Sequence, residues 1–210
     1  MLLLIIPTIV AVDDSMKADS TIIVNASNIT VGDIEKITVH VNEDATGSIT
    51  ITVDGKTYSA PIDKGLTTFK IDNLASGSYD VLASYDGDEN YLPSTNTSSF
   101  SVGKHNAPIS VSAKDVKEGE NAVVHVSLPA GATGSVKVTV YDKSYTNQLI
   151  DGKTTVTVPD LAKGSYIVNV NYSGDDNYLA NSTQVPLSVG KKAVEPPAIE
   201  NSTDENLNDI

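Results

Sequence analysis

From Ser48 to Val53 apolar and polar residues alternate without a break. Ile49, Ile51 and Val53 fall on one side of an extended chain, and Ser48, Thr50 and Thr52 on the other. A period of two is the signature of a strand with one buried face. The pattern returns at Ser135–Val140, where Val136, Val138 and Val140 oppose Ser135, Lys137 and Thr139. Tyr79, Val81, Ala83 and Tyr85 share one face in the same way, as do Tyr166, Val168, Val170 and Tyr172. Turn-forming clusters at 42–44, 54–55, 63–65, 76–77 and 86–88 punctuate these runs, at the roughly 8–12-residue spacing of short sandwich strands. No stretch carries a helical period.

The alternation is written twice. Ala45-Thr46-Gly47-Ser48 recurs as Ala132-Thr133-Gly134-Ser135, an offset of 87 residues, and the offset runs without a gap to Gly103-Lys104 against Gly190-Lys191. About 27 of those 60 aligned positions are identical, enough to align the two copies residue by residue. Upstream the match continues with small shifts: Val39-His40-Val41 against Val124-His125-Val126, and Gly32 against Gly119. The organisation read from this is an apolar segment at 1–18, a first module at 19–104, a second at 105–191 and an acidic tail at 192–210. The linker around Gly103–Pro108 is short, and the Pro-containing, acidic tail has the composition of a disordered segment.

Each module holds about seven short strands and no helix, the pattern of a Greek-key sandwich. A sharper marker is Leu74-Ala75-Ser76-Gly77-Ser78-Tyr79-Asp80-Val81, repeated as Leu161-Ala162-Lys163-Gly164-Ser165-Tyr166-Ile167-Val168. A tyrosine two residues before an inward core position is the tyrosine corner of immunoglobulin-like folds, so Tyr79 and Tyr166 are assigned that structural role. Val81 and Val168 stand where antibody domains place a cysteine. The expected fold is all-β: two tandem immunoglobulin-like Greek-key β-sandwiches with no disulfide, since the chain has no cysteine.

The loops Tyr85-Asp86-Gly87-Asp88-Glu89-Asn90-Tyr91 and Tyr172-Ser173-Gly174-Asp175-Asp176-Asn177-Tyr178 each precede a Ser/Thr-rich strand ending Phe100-Ser101-Val102 or Leu187-Ser188-Val189. With the Leu-x-x-Gly-x-Tyr corner, this pattern resembles bacterial Ig-like domain repeats of adhesin-like surface proteins of methanogenic archaea and bacteria. The resemblance covers both modules, roughly four-fifths of the chain. It implies a stalk, spacer or adhesive unit at the cell surface and does not specify a ligand.

Composition narrows the functions. The net charge is −13, and all 14 basic residues are lysine. A nucleic-acid binder needs a basic footprint, which excludes that partner. The same field disfavours an anionic membrane surface and favours a soluble monomeric tandem. The apolar run Leu2–Val12 is shorter than the roughly 20 residues that span a bilayer. It matches a signal-peptide core, although no basic residue precedes it, and the alternative is an ordinary strand or leftover of an upstream module. No span is expected in the mature chain, and the expected location is extracellular, at the cell surface.

The acidic loops invite a metal reading. Asp86, Asp88 and Asn90 imitate the opening of a calcium loop, but the position that needs a bidentate glutamate holds Thr97, and Ser173 replaces the first aspartate in the second copy. Gly and Asp are expected to build the turn instead. A second arrangement would bring Asp175 and Asp176 towards Asp33 or Asp72, whose hard oxygens suit calcium. No other cofactor is implied. His40 and His125, read as equivalent positions, face solvent, and His105 sits in the linker. With three dispersed histidines and no cysteine there is no nucleophile–base constellation, so the chain is not expected to be an enzyme. A Lys36–Asn96 isopeptide is not expected, because the second copy does not repeat the pair. Six Asn-x-Ser/Thr sequons, at Asn25, Asn28, Asn96, Asn171, Asn181 and Asn201, fit an exported glycoprotein.

The reading that follows is a non-catalytic surface module with a structural spacer or adhesin-like role in attachment, its partners other surface proteins or glycans. The alternative is an accessory carbohydrate-binding module beside a polysaccharide-processing system. A sugar platform needs exposed flat aromatics. The chain has no tryptophan, and eight of its nine tyrosines repeat at equivalent positions, leaving only Tyr141 unmatched.

Overall fold

The computed structural model describes residues 14–191, so both the apolar run ending at Val12 and the acidic tail lie outside the described residues. Two compact units divide the chain after Asn106, with the short Asp175–Leu179 segment grouped with the first. Each unit is a β-sandwich.

The first contains β1 (Ile23–Asn25), β2 (Ile29–Thr30), β3 (Glu35–His40), β4 (Ser48–Val53), β5 (Lys56–Pro61), β6 (Leu66–Ile71), β7 (Gly77–Tyr85) and β8 (Ser94–Gly103). Three of these form one sheet in the order β1-β3-β6, and five form the other in the order β2-β8-β7-β4-β5. The chain changes sheet between β1 and β2, β2 and β3, β3 and β4, β5 and β6, and β6 and β7, which gives the Greek-key path. The second sandwich repeats the plan with β9 (Ser110–Ala113), β10 (Val116–Lys117), β11 (Ala122–Ser127), β12 (Ser135–Val140), β13 (Lys143–Gln148), β14 (Lys153–Val158), β15 (Gly164–Tyr172) and β16 (Asn181–Gly190). Its sheets are β14-β11-β9 and β10-β16-β15-β12-β13.

Each module thus has eight strands, one more than the alternation predicts. The addition is the two-residue strand β2, or β10, which runs parallel to the last strand with Ile29 opposite Val102 and Val116 opposite Val189. A pair of residues is too short to display a period.

The inward residues make the cores. Ile37 and Val39 of β3, Ile49 and Ile51 of β4, and Val81 and Ala83 of β7 are all fully buried. Val124, Val136, Val138, Val140 and Val168 are fully buried in the second sandwich. Burial of one such aliphatic side chain stabilises by about 1.5–3 kcal/mol. Val81 and Val168 therefore contribute by packing at the position where other members of the fold use a disulfide. The hairpin β4–β5 turns through Asp54 and Gly55, both at positive φ (51° and 69°), the geometry that a two-residue turn requires.

Strand pairing corrects one alignment. Ile71 lies opposite Glu35 and Val158 opposite Ala122, so the 87-residue offset persists through β3 and β11. His125 is the counterpart of Thr38, and His40 of Ser127. The shifted Val-His-Val match was a coincidence of two alternating valine strands, in which a slip of two residues preserves the inward face. Both histidines are exposed, as expected for either alignment.

Candidate functional site

The F–G-type loop between β7 and β8 is organised by one carboxylate. Asp88 Oδ1 accepts hydrogen bonds from the amides of Asn90 and Tyr91 at 2.8 and 2.9 Å. Its Oδ2 accepts from the Thr46 amide at 2.8 Å and from the Thr46 hydroxyl at 2.9 Å. The backbone closes the loop through Asp88 N to the Tyr91 carbonyl, 3.1 Å. Gly87 holds φ 81°, and a Cβ there would lie 2.6 Å from the Tyr91 carbonyl oxygen. The Tyr91 hydroxyl then donates to Asp44 Oδ1 at 2.6 Å.

This arrangement sets the electrostatics. Desolvation pulls the Asp88 carboxyl upward, but the amides of Thr46 and Asn90 and the neighbouring hydroxyls outweigh it and hold the group well below the usual carboxylate range. Tyr85 is 2% exposed. Its hydroxyl makes no hydrogen bond of good geometry, yet it lies close enough to Asp88 to feel its charge. Burial first, and that carboxylate second, push Tyr85 up to about 12. The hydrogen bond to Asp44 raises Tyr91 as well. A carboxylate with four donors from its own loops is a structural anchor, and what it can do chemically is hold a turn.

The second loop repeats the local bonds of the first. Asp175 Oδ1 accepts from the amides of Asn177 and Tyr178 at 2.8 and 2.7 Å. Just ahead of the second module, His105 donates its amide to the Asn177 carbonyl, and its carbonyl accepts from Leu179. Ala18 does the same with Asn90 and Leu92 in the first copy. The segments expected as a leader end and a linker are therefore repeat-equivalent edge pieces.

The remaining sequence candidates resolve individually. Tyr79 donates to the Ala75 carbonyl at 2.9 Å and Tyr166 to the Ala162 carbonyl at 2.8 Å, the corner geometry in both copies. The Tyr79 ring also stacks on Phe100, centroids 5.3 Å apart. Asp33 Oδ2 caps its own turn by accepting the Thr30 amide, and Asp72 and Asp176 are exposed. Among the described residues no group of three or more His, Asp or Glu side chains is disposed to hold a metal. Lys36 and Asn96 stand on different sheets, both exposed, and the Asn96 amide is bonded to the Ile22 carbonyl. His125 Nδ1 lies 3.2 Å from the Thr155 hydroxyl across β11–β14, a cross-strand contact on an open face.

Of the sequons, Asn25 and Asn171 are exposed on strands, and Asn28 accepts the Ser101 amide through Oδ1. Asn96 and Asn181 donate Nδ2, the atom that would carry a glycan, to the carbonyls of Ile22 and Ala107. Asn201 lies outside the described residues. Tyr141, the unmatched tyrosine, is 83% exposed and holds φ 54° at the β12–β13 turn.

Residues 22–103 match the model of the bacterial Ig-like domain (group 3). No curated protein matches the chain. Among solved structures, the chain is similar to the fibronectin(III)-like modules of Clostridium thermocellum CbhA, at 13% identity over 81% of this chain and 95% of that one, TM-score 0.35. It is likewise similar to the titin Ig tandem A164-A165, at 12% identity over 82% and 97%, TM-score 0.32. Red sea bream transglutaminase matches at 13% identity over 83% of this chain, TM-score 0.39, where the chain spans only 32% of that protein. Domains of the Ig-like kind are typical of surface or extracellular proteins. Among the described residues no helix is long and apolar enough to cross a membrane.

Proposed function

We propose that the chain is a non-catalytic structural module of a cell surface, a spacer or adhesin-like unit in attachment. The observation that carries this reading is the use made of its most reactive-looking loop. Asp88 uses both oxygens to fasten Thr46, Asn90 and Tyr91, so it is occupied as a brace. The same Gly-Asp-x-Asn-Tyr sequence recurs in the second copy with the same local bonds. Duplicated braces belong to scaffold. The match of residues 22–103 to a bacterial Ig-like domain supports it, as does the acidity, which keeps exposed repeats soluble.

Membrane-impermeant biotinylation of intact cells expressing the chain tests the location. Fourteen lysines offer ample targets. Labelling comparable to that of a known surface protein, with a cytoplasmic control unlabelled, is the expected result. A chain labelled only after lysis overturns the reading.

A further inference from the structure

The outer face of the five-stranded sheet in the second sandwich departs from its counterpart in the first at a set of cross-strand neighbours. Register places Lys137, Asn171 and Ser182 in one row across β12, β15 and β16, and Thr139, Asn169 and Gln184 in the next. In the third row Ile167 pairs with Pro186, and Tyr141 opens the turn one step past the Val140–Val168 pair. The corresponding rows of the first sandwich are Thr50, Ser84, Thr95, then Thr52, Leu82, Thr97, then Asp54, Asp80, Ser99. The second copy has therefore exchanged two carboxylates and a hydroxyl for tyrosine, isoleucine and proline. It has also acquired three primary amides and an ammonium group.

Folding does not ask for these changes. Tyr141 and Ile167 are 83% and 50% exposed, and Pro186 is exposed opposite Ile167, so the apolar row buries little. Tyr141 also occupies the left-handed region where the first copy uses an Asp-Gly turn. Asp54 holds φ 51° at the equivalent position, so the left-handed turn is common to both copies, and what distinguishes the second is that it fills this position with a largely exposed aromatic.

The two polar rows border a shallow groove of about 440 Å³, lined by Lys137, Thr139, Asn169, Asn171, Ser182 and Gln184. No acid stands in any of the three rows, although the chain carries 27. An apolar platform beside a row of amides matches the chemistry of a sugar. The C–H face of the ring packs on aromatic and aliphatic side chains, while each amide offers two donors and an acceptor to neighbouring hydroxyls. A protein partner would call for a larger apolar centre sealed from water, and this groove is polar.

We propose that this face binds a polysaccharide chain. Tyr141, Ile167 and Pro186 form the platform, Asn169, Gln184 and Asn171 take the hydroxyls, and Lys137 takes the carboxylate of an acidic sugar. The proposal goes beyond the surface-module reading and does not depend on where the protein resides.

The test is affinity electrophoresis of the full chain, produced in a host without N-glycosylation so that Asn171 is bare. The gels carry polygalacturonate, alginate, xylan, mannan or hydroxyethyl cellulose. At least one of these is expected to retard the protein, with affinity falling about tenfold or more in Tyr141→Gly and in Asn169→Ala/Gln184→Ala. Leu82→Ala in the first sandwich is expected to change nothing. Tyr141→Gly relieves the turn, so its thermal midpoint stays at or above the parent value and a loss of binding cannot be assigned to unfolding. Lack of retardation by every polysaccharide, or retardation that all these variants retain, overturns the proposal.

Discussion

Thr46 and Asp88, 42 residues apart, are joined by two hydrogen bonds to one oxygen: the amide at 2.8 Å and the hydroxyl at 2.9 Å both reach Oδ2. They tie the loop before β4 to the loop after β7. Because Oδ1 holds Asn90 and Tyr91, the same carboxylate sets the internal shape of the loop and its position. Replacing it removes the acceptor for three backbone amides at once. Asp88→Ala is expected to lower the stability of the first sandwich by about 2 kcal/mol, the solvent-facing setting keeping the cost moderate. Urea denaturation of the full chain checks this; a midpoint shift too small to resolve would contradict it.

The pH dependence follows with opposite signs at the two ends. Asp88 is depressed in the folded state, so its contribution is complete above the ordinary aspartate value near 4 and is lost as pH falls below that towards the folded value. Tyr85 is raised to about 12, so its contribution is complete below the ordinary tyrosine value near 10 and is lost between there and about 12. Thermal midpoints taken across pH 2–5 and pH 9–12 are expected to show both declines. Asp88→Asn should flatten the acid limb and Tyr85→Phe the alkaline one.

Much of this architecture was legible in the sequence because the physical constraint is local. Alternation identified Ile49, Ile51 and Val53 as inward, since the side-chain period of a strand is fixed by its pleat. The spacing of Tyr79 to Val81 identified the corner, since its hydroxyl bonds only four residues back. What escaped depends on register between distant strands. The pairing of Ile167 with Pro186, and the place of Tyr141 at the turn one step past the Val140–Val168 pair, become visible only when β12, β15 and β16 are aligned. Tyr141 did stand out as the unmatched tyrosine, but its neighbours carried no signal. The apparent equivalence of His40 and His125 failed for the converse reason: a two-residue slip leaves an alternating pattern unchanged, and only cross-strand partners distinguish the two.

Calcium is expected to leave the tandem unchanged. The Asp33 carboxylate already caps the Thr30 amide, and Asp175 Oδ1 already serves two amides of its own turn. Binding a hard cation would compete with those bonds, whereas a calcium loop supplies oxygens that are free to converge. Thermal midpoints in millimolar calcium chloride and in EDTA should coincide. A midpoint that rises with calcium would show that these acids converge on an ion after all.

Two glycines of the first sandwich separate conformational strain from steric collision. Gly47 holds φ 92° with nothing within 4 Å of an added Cβ, so Gly47→Ala meets only the left-handed backbone penalty, about 1 kcal/mol. Gly65 holds φ 72° and would place its Cβ 2.7 Å from the Val41 carbonyl oxygen and 2.8 Å from the Glu43 Cα. Those atoms are backbone and cannot rotate away, and Val41 N also bonds the Gly65 carbonyl at 2.8 Å. Gly65→Ala must therefore move the segment leading out of β3, at a cost of about 3 kcal/mol or more. Chemical denaturation of both variants should give the larger loss at Gly65. Equal losses at the two sites would mean that the 41–43 segment yields freely, and that the turn is held by backbone conformation alone.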